Sequence, residues 1–412
     1  MTKRISFRSI CEDVPSTTYA THGLHPYPAK LIPHIPHFFI SRTHFSKNDD
    51  IVLDPFCGSG TTLVEARLNG RNSFGVDVNP LARLLTKVKT TTLEVEKLQP
   101  LFDKIMKDAI VNEANEKLPT FPDVDYWFSH DAQCRLMAIR ESVRSIKETD
   151  YRDFFDVCFS AIVRRCSYAD PRISPACKSK RMRALIKKGW EPAVYEIFKN
   201  VTSTNIRHCQ EFVRICPSDG FARLVEKSAS QILLEDGIVD LVITSPPYIN
   251  AQKYVRSTKL EIYWLDLLTK EELSELDTHL IGTERARFEE YRGLNPAEAA
   301  GSDRLRRALG HLIKIDRRRA YIAYRYFKEM DAVFEEMHRV LKKGGHLVLV
   351  IGDNTFYGSR FPSSEVLKEM AKQHQFRIES VYVDAIKSRG LMTKRNKTAD
   401  MIDSEWIFVL KK

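Results

Sequence analysis

Over residues 51–90, hydrophobic positions fall into short runs broken by glycine instead of long stripes. Ile51-Val52-Leu53 is a β-prone run followed by DPFCGSGTTLVEARLNG (Asp54–Gly70), where Gly58 and Gly60 make a tight turn and Thr61 starts a helical pattern that ends near Gly70. NSFGVDVNPLARLLTKVKTT (Asn72–Thr90) predicts a second strand ending at Asp77 and a second helix. Strand, glycine turn, helix, strand is the opening of an α/β domain with a parallel sheet. Residues 1–48 read as irregular, because prolines at 26, 28, 33 and 36 exclude a long helix ahead of the apolar stretch that ends at Ile40.

Residues 93–215 change character: long amphipathic patterns such as AQCRLMAIRESVRSIKET predict an inserted, mainly helical domain. The α/β pattern returns at Phe221–Tyr248. A helix over Ser257–Leu268 follows, then a basic, charged segment near 280–320 expected to be mobile. Beyond it come a helix at 318–342, a strand at Gly344–Asp353, a helix at 363–374 and strands near 376–385 and 404–410. Three parts result: 1–92 and 216–412 as the two pieces of one α/β domain, and 93–215 as the insert.

Charge adds a partner to this picture. Lys and Arg number 64 against 54 Asp and Glu, and an excess of this kind favours a polyanion. It is concentrated: Ala161–Ile215 holds twelve basic residues against four acidic, and Ile281–Ala320 ten against six. The eight cysteines form no CxxC pair and no zinc spacing, which points to reduced thiols. With no apolar run of membrane-spanning length, a cytoplasmic location is expected.

Two stretches carry chemistry. In the first, VLDPFCGSGTT with GVDVNP, glycines let backbone approach a ligand, and the free amides of the following helix favour a negative group. A dinucleotide site would use GxGxxG, but Gly58-Ser-Gly60-Thr-Thr-Leu63 lacks the last glycine. Asp54 would repel a pyrophosphate and suits an ammonium, while Asp77 suits ribose hydroxyls. A nucleoside with an amino-acid tail and no phosphate satisfies all three features, which selects S-adenosyl-L-methionine.

The second stretch is DLVITSPPY (Asp240–Tyr248), an apolar strand stopped by two prolines. Ser245 and the Pro246 carbonyl are rigidly held acceptors, and Tyr248 presents a π-face. Together they suit a planar base amine: acceptors drawing its hydrogens toward tetrahedral geometry localise the lone pair for attack on a methyl group.

DPFCGSGTT plus TSPPY resembles the amino-group DNA methyltransferases, and the serine form resembles their cytosine-N4 members more than their adenine-N6 members. The resemblance covers about residues 22–90 and 221–410. It implies a doubly wound, mostly parallel seven-stranded sheet, with Asp54, Phe56, Gly58, Gly60 and Thr61 as the cofactor turn and Asp77 as the ribose ligand. Ser245, Pro246, Pro247 and Tyr248 carry over as the catalytic loop. HPYPAKLIP (His25–Pro33) resembles the segment that closes over the methionine end, which places Lys30 near the methionine carboxylate. Double-stranded DNA is the implied partner, with a cognate restriction endonuclease by analogy. Where the family often has an Asp for the cofactor's adenine, this chain has Lys227-Ser228-Ala229-Ser230, with Glu226 as a neighbouring substitute.

Other readings are weaker. There is no Pro-Cys pair for cytosine-C5 chemistry, and no recognisable RNA-binding module. A DNA-binding protein with a dead methylase core is opposed by intact Asp77, Ser245 and Tyr248. His22, His25, His34 and His37 have no carboxylate among them in sequence, so turn and surface roles are expected and no metal. Tyr126-Trp127-Phe128 reads as a packing cluster, and Asp153 and Asp156 as ordinary helix charges.

Overall fold

The computed structural model describes residues 2–113, 117–249, 254–298, 302–386 and 403–412. Eight strands form its main sheet: β1 (Thr2–Arg4), β2 (Ile51–Asp54), β3 (Asn72–Gly75), β4 (Ala222–Leu224), β5 (Val239–Thr244), β6 (Leu341–Ile351), β7 (Arg377–Ala385) and β8 (Ser404–Lys411). Their order is β4-β3-β2-β5-β6-β8-β7-β1. The five strands β4 to β6 run parallel, β8 is antiparallel to both neighbours, and β1 lies parallel to β7. The chain winds outward from β2 through β3 to β4, then returns to β5 on the other side of β2. That reversal opens a crevice beyond the carboxyl ends of β2 and β5, where open α/β sheets bind ligands.

Seven of these strands match the expected sheet, and β1 adds an eighth at its edge. Its three residues are all exposed, so no alternation marked it in the sequence; pairing with Val381–Val383 makes it a strand. The second strand stops at Gly75 instead of Asp77, because the Val76 amide turns back to the Asp54 carbonyl while the Val76 carbonyl accepts from Cys57. In the same opening region a helix runs His34–Ile40. Pro36 is tolerated there because the first-turn amides need no partner.

Alternate residues of the central strands sort onto two faces. Val52, Leu241, Ile243, Val348 and Val350 meet Phe7, Ile35 and Phe39 on one side. Leu53, Val242, Leu347 and Leu349 meet Tyr326, Phe327, Met330 and Phe334 of the Arg317–Val340 helix on the other. Burial on both faces accounts for the continuous apolar runs of β5 and β6.

Helices Leu98–Asn112, His130–Arg144, Thr149–Val163 and Val194–Ile215 dominate the region expected to be an insert. Their apolar core runs without a break into Leu81, Leu85 and Val88 of the Pro80–Thr90 helix and into Trp264. Of Tyr126-Trp127-Phe128, the last two are buried as packing residues, while Tyr126 is half exposed beneath the Lys178 ammonium. Near 280–320 the chain forms helices Phe288–Arg292 and Asp303–Ile315, the second burying Leu305, Leu309 and Leu312. The helix expected over Ser257–Leu268 is shorter, Lys259–Trp264, and a separate helix Lys270–His279 starts in a capping box of Thr269 and Glu272. Among the described residues no helix is long and apolar enough to cross a membrane.

Trp264 sits where the two regions join. It is fully buried, with ring-edge contacts to Phe121, Phe128 and Phe159 at centroid distances of 5.5, 5.3 and 5.9 Å. Trp264→Ala is expected to cost about 3–5 kcal/mol. Because the core is shared, chemical denaturation should show one lowered transition, not the separate melting of a helical domain.

Candidate active site

The crevice at the strand reversal is walled from several directions. From the turn after β2 come Asp54, Phe56, Gly58, Ser59 and Thr61; from after β3, Asp77 and Asn79; from the loop after β5, Ser245 and Pro247. Tyr27 and Lys30 close one side, Ser228–Ser230 another, and His279–Ile281 a third. The space is about 1110 Å³, its mouth included.

Backbone geometry makes the glycine turn. Gly58 and Gly60 hold φ of +51° and +80°, the left-handed region that costs other residues steric strain. Gly60 also caps the Thr61–Leu68 helix, and a Cβ there would lie 2.8 Å from Thr86 Oγ1. Asp77 fixes this turn: Oδ2 accepts the Gly58 amide at 2.9 Å and Oδ1 the Asn79 amide at 2.8 Å. Each oxygen keeps capacity for a ligand hydroxyl. Burial, only partly offset by those amides, pushes the Asp77 carboxyl up to about 6.

Asp54 closes β2. Its Oδ1 accepts from the Phe56 amide at 3.1 Å and from Thr244 Oγ1, at the end of β5, at 2.7 Å. Burial raises this carboxyl to about 6 as well, against the lowering effect of Thr244. Two buried acids waiting above the ordinary range suit cationic and hydroxyl groups entering the crevice. Lys30 reaches the same space, its Nζ donating to the His22 carbonyl at 2.8 Å, and burial lowers it to about 8. The Ser59 hydroxyl is buried there with no hydrogen-bond partner among the described residues. An ammonium acceptor, a hydroxyl acceptor, a cation and an orphaned hydroxyl together fit a nucleoside with an amino-acid tail.

The segment bearing Lys30 is held by an arrangement the sequence did not reveal. Glu65, fully buried in the Thr61–Leu68 helix, accepts from His22 Nε2 at 2.8 Å, His37 Nδ1 at 3.0 Å and the Tyr19 hydroxyl. His37 Nε2 also meets Asp13 at 2.7 Å. Burial works to raise the Glu65 carboxyl, yet the bonds from His22 and His37 hold it below its usual value. The expectation of turn and surface roles is therefore corrected: His22, His25 and His34 are buried. Folding supplies the carboxylate that local sequence lacked, and His25 Nε2 pairs with Ser160 at 3.0 Å.

The remaining expected residues divide. Ser228, Ala229 and Ser230 line the crevice, with the two hydroxyls 3.0 Å apart, whereas Glu226 is engaged by Arg83 and is absent from the wall. In the loop after β5, Pro246 is buried and Tyr248 half-buried, and both stand off the cavity wall. The Tyr248 hydroxyl donates to Glu405 Oε1 at 2.9 Å. A Cβ on Gly282 would lie 3.6 Å from Pro247 Cβ, so the chain near 280 packs directly on this loop. Asp153 pairs with Lys87 at 2.6 Å, while burial and then Asp153 raise Asp156 to about 7.

Among the described residues one trio, His44, His346 and Glu379, brings three potential ligand atoms within 4.8 Å of one another. It lies near the start of β6 and β7, the end of the sheet away from the crevice. Burial lowers His346, against the opposing effect of the Glu379 carboxylate and with a smaller contribution from the Lys411 ammonium.

Asp54→Asn offers a direct test of the crevice electrostatics. It keeps the oxygen that serves Phe56 and Thr244 and removes a charge whose folded-state value is raised. A raised acid weakens folding above that value and ceases to do so once protonated in both states. At pH 7.5 the variant is expected to be more stable than the parent by about 1–3 kcal/mol, with the advantage fading as pH falls from about 6 to below 4. Cofactor affinity should fall at the same time; urea titrations across pH, with calorimetry, check both.

Comparison with known proteins agrees with this geometry. A family model described as DNA methylase, for the N6 and N4 amino-methyltransferases, matches residues 10–86. The type II methyltransferase M.MvaI of Kocuria varians is 27% identical over 423 aligned positions, covering 96% of this chain and 92% of its own. M.MjaII of Methanocaldococcus jannaschii is 41% identical over 24% of this chain and 17% of its own length. M.BsoBI of Geobacillus stearothermophilus is 26% identical over 52% of this chain and 47% of its own. With the glycine turn, its two acids and the proline loop gathered at one switch point, these matches support the amino-group (cytosine-N4 or adenine-N6) DNA methyltransferase family, whose cofactor is S-adenosylmethionine.

Proposed function

We propose that the chain methylates the exocyclic N4 amine of a cytosine flipped out of double-stranded DNA, by direct transfer from S-adenosylmethionine. The observation that carries this reading is that Ser245 and Pro247 wall the same crevice as Asp54, Gly58, Asp77 and Lys30. When bound, S-adenosylmethionine supplies an electrophilic methyl group on a sulfonium. In this reading Asp77 receives the ribose hydroxyls, Asp54 faces the ammonium and Lys30 the methionine carboxylate. Phe56, Gly58, Gly60 and Thr61 shape the turn around them.

The chemistry asked of the loop is modest. Ser245 and the Pro246 carbonyl accept the amine's hydrogens, which localises its lone pair, and Tyr248 stacks on the base. The two prolines keep those acceptors in place, and rigid placement matters because small displacements cost rate steeply. A base amine inside a duplex is out of reach, so the nucleotide must be extruded.

Two contacts support setting both basic segments beside this loop. Ser174 Oγ bonds Ser257 Oγ at 2.7 Å, a short way past Tyr248, and Gly282 of the second segment lies against Pro247. On the Lys180–Lys187 helix only Met182 is buried, which leaves Lys180, Arg181 and Arg183 exposed for phosphates. A restriction endonuclease reading the same site is the partner this function implies.

Incubating methyl-free genomic DNA with enzyme and cofactor, then digesting to nucleosides for mass spectrometry, should yield N4-methylcytosine, the product expected of the serine-form loop. N6-methyladenine would move the assignment to the adenine amine with the mechanism kept. 5-Methylcytosine would refute direct transfer to nitrogen. Neutralising Lys180, Arg181 and Arg183 together should weaken binding to every duplex. It should also reduce the salt slope, by up to about 0.9 for each phosphate no longer neutralised, as read by fluorescence anisotropy between low and moderate salt.

A further inference from the structure

We propose that Glu405 is a positioning residue for Tyr248: it holds the tyrosine hydroxyl and so sets the angle of the ring against which the target base packs. The proposal rests on the stacking role given to Tyr248 above. Pro246 and Pro247 stiffen the backbone of the loop, but they leave the side-chain torsions of Tyr248 undetermined. The 2.9 Å bond from its hydroxyl to Glu405 Oε1 supplies that missing constraint.

Topology explains how a residue so far along the chain reaches the loop. β8 runs antiparallel to β6, so its first residues stand at the end of the sheet where β5 and β6 finish. Trp406 pairs with Ile351, the last residue of β6, and Glu405 pairs across to Asp384 of β7. Strand β8 is paired on both sides from Trp406 to Lys411, and Glu405, paired on its β7 side, directly precedes that doubly held stretch, which gives the acceptor a firm platform.

Keeping an acid at this place is costly. Burial raises the Glu405 carboxyl, the Tyr248 bond opposes that rise, the neighbouring Asp384 adds to it, and Arg8 works against it. Asp384 is itself buried. A side chain whose sole duty were to fill space between β7 and the loop would not need a carboxylate beside another carboxylate.

The test compares Tyr248→Ala, Tyr248→Phe, Glu405→Ala, Glu405→Gln and the double variant Tyr248→Phe/Glu405→Ala. Single-turnover methylation of duplex DNA and calorimetric cofactor binding are measured for each. Phenylalanine keeps the stacking face, so any loss in Tyr248→Phe reports the hydroxyl. Tyr248→Phe and Glu405→Ala are each expected to slow the methyl-transfer step about tenfold, the order of one hydrogen bond to a charged group. Cofactor affinity should be unchanged. The double variant should be no slower than either single one, because both remove the same bond, and Glu405→Gln, which keeps an acceptor oxygen, should recover most of the loss.

Wild-type rate in Tyr248→Phe with a slow Tyr248→Ala would overturn this inference and leave the stacking role standing. Wild-type rate in Tyr248→Ala would instead remove the role of Tyr248 itself. Multiplying losses in the double variant would show that Glu405 acts by another route and refute the proposal. Should Glu405→Ala fail to fold, Tyr248→Phe and Glu405→Gln decide it alone: the proposal requires the first to be slow and the second close to wild type.

Discussion

The hydrogen bond from Thr244 to Asp54 joins the carboxyl ends of β2 and β5, and the organisation of the crevice depends on it. These strands are neighbours in the sheet, yet the two bonded residues are 190 positions apart in the chain. One strand ends in the glycine turn and the other in the proline loop, so a single 2.7 Å contact sets the distance between the residues read as holding the cofactor and those read as holding the target. A buried carboxylate is a costly device for this purpose. Its raised pKa shows that the cost is not fully recovered within the protein, which leaves it available to an incoming cationic group.

A second constraint holds the wall opposite. Segment 19–37 carries little regular structure, and short proline-rich chain does not stay in place by backbone bonds alone. Glu65, itself fully buried, holds it by accepting from His22, His37 and Tyr19 at once. Such a network fixes one arrangement, because any displacement would leave a buried charge with fewer partners. Lys30 inherits its place from this network through the His22 carbonyl.

The helical region contributes in the same manner, through shared packing. Its core includes the Pro80–Thr90 helix, which begins directly after Asp77 and Asn79, and the 259–264 helix, which follows the proline loop. Packing disturbances among Phe121, Phe128 and Phe159 therefore reach both sides of the crevice through Trp264.

Local patterns determined much of this protein. Gly58, Gly60, Asp54, Asp77 and the Thr-Ser-Pro-Pro-Tyr loop announce their chemistry because each acts through backbone conformation or a side chain within a few residues of a strand end. The parallel strands were legible for the same reason, as apolar runs closed by turn residues. What sequence could not supply were partners brought from a distance. Strand β1 has no pattern of its own and exists through its pairing with β7. Nothing in its spacing marks Glu65, and the histidines expected in turn and surface roles meet it only because folding puts them together in a buried site. Glu405 lies in a strand whose apolar residues hid its one acid. The reason is common to all three: an electrostatic or ladder partner leaves no mark on sequence spacing, and only the tertiary structure decides which distant groups share a low-dielectric space.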